Sequence, residues 1–172
     1  MNRVAVELLD VQPDDAVLEI GFGPGVAIEL IARRLTSGYV AGVDHSPVML
    51  RQAARRNRKM MARGRVELRR ASVVALPFEG GCYTKVFEVN TLHHWPAPEE
   101  NLQEVRRVMA PGGLLLVCLR MKHPTARRFA APGYTEDEIE AIEALLRGAG
   151  FHDLQRHLRR AGREVTYLLA RR

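Results

Sequence analysis

The chain has 172 residues, 47% of them hydrophobic and 27% charged, with a formal net charge of +6; that length suits one domain, 1–172, with a sizeable core. Such a composition excludes a disordered or low-complexity chain, and no apolar run approaches the ~20 residues that span a bilayer. Glu7 and Asp10 follow the start too closely for a signal peptide, so the expected location is cytoplasmic.

Residues 2–10 read as a short helix that ends before Pro13. A strand, Ala16 to Ile20, runs straight into Gly21-Phe22-Gly23-Pro24-Gly25, and Ile28, Leu30, Ile31 and Leu35 then recur at helical spacing until Ser37-Gly38. Tyr39 to Asp44 is the second strand. Ser46 is a good N-cap and Pro47 suits the first helical position, so a helix is expected to about Ala62. Arg65 to Arg70 and Lys85 to Val89 are further strands, joined through the loop Leu76 to Gly81. Pro98 opens a helix with Leu102, Val105, Val108 and Met109 on its apolar face, closed by Pro111-Gly112-Gly113. The continuous apolar run Leu114 to Leu119 suits a parallel strand buried on both faces. An acidic amphipathic helix, 135–147, precedes two strands, about 152–159 and 164–170, with a turn at Ala161-Gly162. The order predicts an α/β fold. It is a single doubly wound, Rossmann-like sheet of about seven strands, mostly parallel with a C-terminal antiparallel hairpin.

Cys82 and Cys118 share no metal-ligand spacing; both read as free thiols, Cys118 as a core residue, and no metal is expected.

A strand, a glycine turn, a helix, a strand and then an acid is the general plan of a mononucleotide site. Gly21, Gly23 and Gly25 let the main chain approach a ligand, and Asp44 stands where a carboxylate can accept both ribose hydroxyl hydrogens. Glu19 sharpens the reading. A carboxylate two residues before the loop repels a pyrophosphate but suits the ammonium and sulfonium groups of S-adenosylmethionine. The spacing G-x-G-x-G, in place of G-x-G-x-x-G, also disfavours an NAD-dependent oxidoreductase. The plainer alternatives are that Glu19 caps main-chain groups near the turn and Asp44 caps the next helix.

Val17 to Gly25 resembles the first motif of class I S-adenosylmethionine-dependent methyltransferases. Val43-Asp44-His45-Ser46 with Met49-Leu50, the loop Ala75 to Phe78, Asn90 to Trp95, and Leu102-x-Glu104-x-x-Arg107-Val108-x-x-Pro111-Gly112-Gly113 complete a pattern similar to the type 11 group. The resemblance covers roughly residues 15 to 170. It implies a seven-stranded sheet, S-adenosylmethionine as cofactor and S-adenosylhomocysteine as product. The cofactor-binding residues it points to are Glu19, Gly21, Phe22, Gly23, Gly25, Asp44, His45, Met49, Ser72, Val73 and Asn90. Three departures stand out. Ser72 replaces the acid that usually meets the adenine amino group, Thr84 replaces a frequent aspartate, and only about fifteen residues precede the first strand. The cover over the substrate is therefore expected to be short or supplied from elsewhere.

Methyl transfer from a sulfonium is an in-line displacement that depends chiefly on alignment. Asn90, His93 and His94, at the end of the fourth strand, are the candidate catalytic residues; a histidine would remove a proton where the acceptor holds one. The plainer alternative is that a histidine only packs on Trp95 and fixes the loop. Met121 to Tyr134, with Arg127, Arg128 and Phe129, is the candidate lid.

The expected acceptor is a small molecule that the sequence does not identify. Arginine supplies 23 of the 26 basic residues, and residues 45–78 hold nine Lys or Arg against one acid, Glu67. That raises RNA as a partner through the basic 51–70 region. Aromatic residues are absent from the patch, which favours a solvated face balanced by Glu136 to Glu143. A non-catalytic cofactor-binding module is a further alternative, and a homodimer that closes an uncovered site remains open.

Overall fold

Strands buried on both faces need two apolar sides, and this chain supplies them residue by residue. The computed structural model describes residues 1–122, 133–161 and 163–172. The elements are α1 (Asn2–Leu8), β1 (Ala16–Ile20), α2 (Val26–Ala32), β2 (Tyr39–Asp44), α3 (Pro47–Met61), β3 (Val66–Arg70), β4 (Tyr83–Val89), a 3-10 turn (Leu92–His94), α4 (Pro98–Val108), β5 (Met109–Arg120), α5 (Glu136–Gly148), β6 (His152–Ala161) and β7 (Arg163–Arg171). The seven strands form one sheet in the order β3-β2-β1-β4-β5-β7-β6. The first five are parallel, and β7 runs antiparallel between β5 and β6.

Side chains alternate across a strand. Leu18, Ile20, Val86, Leu115 and Val117 therefore pack with Leu102 and Val105 of α4 and Ile139 and Ile142 of α5. Val17, Val40, Phe87, Leu116 and Cys118 face the other way, onto α1, α2 and Ala53 of α3. The sequence order reverses between β1 and β4, the position where open α/β sheets leave a crevice at the carboxyl ends of their strands.

The expected architecture holds, with local differences in the bounds. Met109 was expected on the apolar face of α4 but opens β5 opposite Tyr83, fully buried. The ladder is then irregular until Lys85 meets Leu114, so β4 and β5 both begin earlier than the apolar runs suggest. A Cβ on Gly113 would lie 2.9 Å from the Ala110 carbonyl and 3.1 Å from that of Thr84, so the two strands can close here only around glycine. Helix α2 ends at Ala32, although Leu35 beyond it is still buried. Thr135 starts α5 with a capping box, its hydroxyl accepting from the Glu138 N–H while the Glu138 carboxylate accepts from the Thr135 N–H. Residues 123–132 and Gly162 lie outside the described residues, and with them most of the candidate lid and part of the expected hairpin turn.

Candidate functional site

A cavity of about 640 Å³ opens at the carboxyl ends of β1, β2, β3 and β4. Its floor begins at Gly21, which takes φ +75°, and a Cβ there would stand 2.5 Å from the Thr91 methyl. Only glycine lets the first turn and the fourth-strand loop meet so closely. Gly23 follows, and its N–H donates to one carboxylate oxygen of Asp44 at 2.9 Å. The other oxygen of Asp44 accepts from the Ser46 N–H at 2.8 Å. Ser46 itself caps α3 by accepting from the Met49 N–H. Asp44 is thus fixed by its own chain while its remaining lone pairs border the cavity.

The opposite wall is the turn Thr91 to Pro96, held from below by a carboxylate. Glu88 is buried and accepts four hydrogen bonds: from the Thr91 N–H, the Thr91 hydroxyl at 3.0 Å, the Leu92 N–H at 3.2 Å and the Cys118 N–H at 2.9 Å. Burial outweighs these donors and pushes its pKa up to about 7. Glu19, on β1, is also buried, and burial holds its pKa well above the ordinary carboxylate range. The Ile28 main chain opposes that rise, and the charges of Asp44 and Glu88 add to it. One oxygen of Glu19 has no hydrogen-bond partner among the described residues.

The third wall, Ala71 to Val73, continues into a clamped loop. The Glu104 carboxylate accepts the Leu76 N–H at 2.7 Å, and Arg107 donates to the carbonyls of Leu76 and Phe78 and to Glu104. The Ser72 hydroxyl accepts from the Val74 N–H at 3.3 Å.

The cavity lies where the motifs of the sequence converge, and the methyltransferase domain model matches residues 17–113, more than half of the chain. The chain belongs to the methyltransferase domain family. It is a methyltransferase of the S-adenosylmethionine-dependent class. It is 28% identical over 154 residues to the uncharacterized methyltransferase YdaC of Bacillus subtilis (strain 168), covering 90% of this chain and 81% of that one. It is 35% identical over 133 residues to a demethylmenaquinone methyltransferase of Tropheryma whipplei, covering 77% of this chain but 52% of that relative. Its fold matches that of a SAM-dependent methyltransferase from Aquifex aeolicus with a TM-score of 0.82 at 20% identity, over 99% of this chain and 88% of the other.

Of the residues the sequence singled out, Gly21, Gly23, Asp44, His45, Met49, Ser72, Val73 and His94 line the cavity of this methyltransferase. Others do not. Phe22 is buried beneath the loop against Gly42, where a Cβ would meet its ring at 2.7 Å. Gly25 caps α2 and backs onto Ala53 and Asn57 of α3. Asn90 takes a left-handed φ of 58° at the end of β4, and its side-chain oxygen accepts from the Arg120 N–H at 3.3 Å, tying β4 to β5. His93 turns toward Tyr134, with ring centroids 6.4 Å apart, and lies 3.9 Å from the His94 ring. Burial, with the charges of His94 and Arg120, lowers its pKa. Thr84 has a structural place, its hydroxyl 2.7 Å from the Asp15 carboxylate at the far end of the sheet.

Sequence reasoning missed Thr91 and Trp95 as lining residues and Glu88 as their support. Thr91 and Trp95 sat inside a motif read for its asparagine and histidines. Glu88 carried a visible signal, an acid among the apolar residues of a central strand.

The cavity suits a cationic nucleoside ligand. A carboxylate borders it and a second lies buried beside its glycine loop with an oxygen unpaired. Among the described residues neither arginine nor lysine lines it, although the chain holds 26 of them. That polarity is wrong for a phosphate and right for an ammonium and a sulfonium.

Proposed function

We infer that this methyltransferase binds S-adenosylmethionine in the cavity and alkylates a small-molecule acceptor from the side of the Thr91 to Pro96 turn. The observation that carries the reading is Asp44, an acid fixed at the end of β2 by the Gly23 and Ser46 N–H groups with free lone pairs toward the cavity. Asp44 would hold the ribose hydroxyls, Glu19 and the main chain of Gly21 and Gly23 the amino-acid end, and Met49, Ser72 and Val73 the adenine. When bound, the cofactor supplies an electrophilic methyl group on sulfur. The chain's own part is alignment and exclusion of water, with Thr91, His94 and Trp95 closing one end. Both sheet faces and the cavity belong to one seven-stranded sheet, which supports a single domain over 1–172. The relatives named for demethylmenaquinone and 24-methylenesterol substrates support a small-molecule acceptor. No described helix is long and apolar enough to cross a membrane, which is compatible with a cytoplasmic enzyme.

Thermal unfolding with S-adenosylmethionine, S-adenosylhomocysteine, NAD and NADP tests the site. A ligand at a hundred times its Kd adds ~2.7 kcal/mol, a rise in Tm of roughly 5–11 °C for a chain of this size. The two adenosyl ligands are expected to give it and the two dinucleotides are not; equal shifts with NAD would end the reading.

His94, which lines the cavity, and His93, whose ring lies 3.9 Å from it and whose pKa is lowered by burial, are the candidates for a base. For an acceptor that must lose a proton, His94→Ala or His93→Ala should cut turnover by ~10²-fold or more and remove the acid limb of the rate profile. The rate of S-adenosylhomocysteine release against pH measures both, and a variant with unchanged profile and turnover would leave the histidine it replaces a packing role.

A further inference from the structure

The exposed face of α3 is a run of like charges that nothing in the described structure neutralises. Arg51, Arg55, Arg58, Lys59 and, just beyond the helix, Arg63 are all exposed. Arg51, Arg55, Lys59 and Arg63 follow one another at four-residue steps with Arg58 beside them, so they form a stripe about 18 Å long on one side of the helix. Like charges at these spacings destabilise a helix. The helix dipole offsets this only for Arg58 and Lys59 in the last turn. Among the described residues the ion pairs of this region are Arg56 with Glu29 and Arg69 with Glu67, and none involves the stripe. Glu136 and Glu143, expected to balance it, pair instead with Arg156 and Arg147. Helix α5 contacts β6 at one edge of the sheet, while α3 packs on β3 at the other.

The stripe starts beside the cavity and is met there by apolar tips. Val48, in the first turn of α3, is 44% exposed, and Val74, in the loop after β3, is 55% exposed; the other exposed large hydrophobic residue among those described is Leu158. The two valines follow the carboxyl ends of the neighbouring strands β2 and β3. Asp44 pairs with Arg70 across β2 and β3, and the Arg70 guanidinium donates to the His45 carbonyl at 3.2 Å. Each valine lies next to a cavity-lining residue, Val48 before Met49 and Val74 after Val73.

We propose that α3 and the loop after β3 form a docking surface for an anionic lipid bilayer, which sets the cavity mouth against the membrane. Unpaired guanidinium and ammonium groups match a plane of anionic headgroups. The exposed valines enter the interface as small apolar contacts, a pairing of cationic face and apolar residues that interfacial helices share. A single-stranded nucleic acid would use the same charges but also needs aromatic platforms. Residues 45–77 contain no Phe, Trp or Tyr, and Phe78 lies half-buried beneath the Arg69 guanidinium.

Co-sedimentation of the whole protein with phosphatidylglycerol–phosphatidylcholine vesicles, with phosphatidylcholine vesicles as the neutral arm, tests this. Binding is expected on the anionic vesicles only and should weaken as salt shortens the screening length. Each basic side chain near such a surface contributes about fivefold. The variant R51Q/R55Q/R58Q/K59Q should therefore lose on the order of a hundredfold or more in vesicle affinity. The uncharged variant V48S/V74S should also weaken binding, and should leave binding to a single-stranded RNA oligonucleotide unaffected. None of these side chains lines the cavity, so both variants should keep the S-adenosylmethionine-induced rise in Tm, which separates loss of docking from loss of fold. Two results would overturn the proposal: no binding to anionic vesicles at low salt, or RNA binding tighter than vesicle binding with V48S/V74S indistinguishable from wild type.

Discussion

Asp44→Ala should abolish the rise in Tm that S-adenosylmethionine gives the wild-type protein. The carboxylate is 7% exposed and oriented by two main-chain donors, so little ordering remains to be done when a ligand arrives. Hydrogen bonds to a charged acceptor contribute ~1.5–3 kcal/mol each, and losing two of them lowers affinity by more than ~100-fold. At a concentration that saturates the wild type, the shift should then fall to about 1 °C or less. The alanine also leaves the Gly23 N–H without its acceptor, so the unliganded variant should melt somewhat lower. Asp44→Asn separates the two effects, since it keeps an acceptor for one N–H and removes the charge. A normal S-adenosylmethionine shift in Asp44→Ala would place the cofactor elsewhere.

Glu88 sets up the second large effect, on stability and its dependence on pH. Its pKa rises from 4.5 to about 7, and for a carboxyl higher in the folded than in the unfolded chain the folded state binds the extra proton. The associated stability is fully present below about pH 4.5 and is lost as the pH rises through about 7. The change amounts to about 3 kcal/mol across that window. Glu19 works in the same direction. Asp15 and Glu104, whose pKa values are lowered by Lys85 and Arg107, work in the opposite direction, but only below the ordinary carboxylate range. Between pH 5 and about 7.5 the two buried glutamates favour the folded state at the lower pH, and the lowered pKa of His93 opposes them. Glu88→Gln should flatten the fall of Tm with rising pH, leaving the part due to Glu19. Glu88→Ala should cost about 3 kcal/mol or more near pH 6, because the main-chain N–H groups of Thr91, Leu92 and Cys118 lose their acceptor. Since Thr91 borders the cavity, cofactor affinity should fall with it. Parallel Tm curves for wild type and Glu88→Gln would show that Glu88 does not titrate in this range.

Both predictions turn on carboxylates, yet only one of them was legible in advance. Asp44 ends an apolar strand just after a glycine loop, and local sequence suffices for that, because strand, turn and helix follow from neighbours along the chain. Gly21 and Gly23 belong with it. The same holds for the sheet's class, for Ser46 as a cap and for the alternating runs that became the strands.

Side-chain partners across the sheet were another matter. Glu88 takes its meaning from Thr91 and from Cys118, thirty residues away on the next strand, and one strand's sequence does not contain that pairing. The Asn90 side-chain oxygen accepts from the Arg120 N–H, a bond that exists only because β4 and β5 lie side by side. Phe22 and Gly25 belong to the glycine loop by sequence, but the loop's path turns one into the core and the other onto α3. The expected balance between the basic and acidic stretches failed for the same reason, since the strand order sends α3 and α5 to opposite edges of the sheet. The sequence by itself determined the fold class, the methyltransferase family and the acid at the end of β2 that borders the cavity. The tertiary structure alone decided which residues border the cavity and which ones hold that border in place. Backbone conformation answers to neighbours along the chain, whereas burial and side-chain pairing answer to strands brought together from afar.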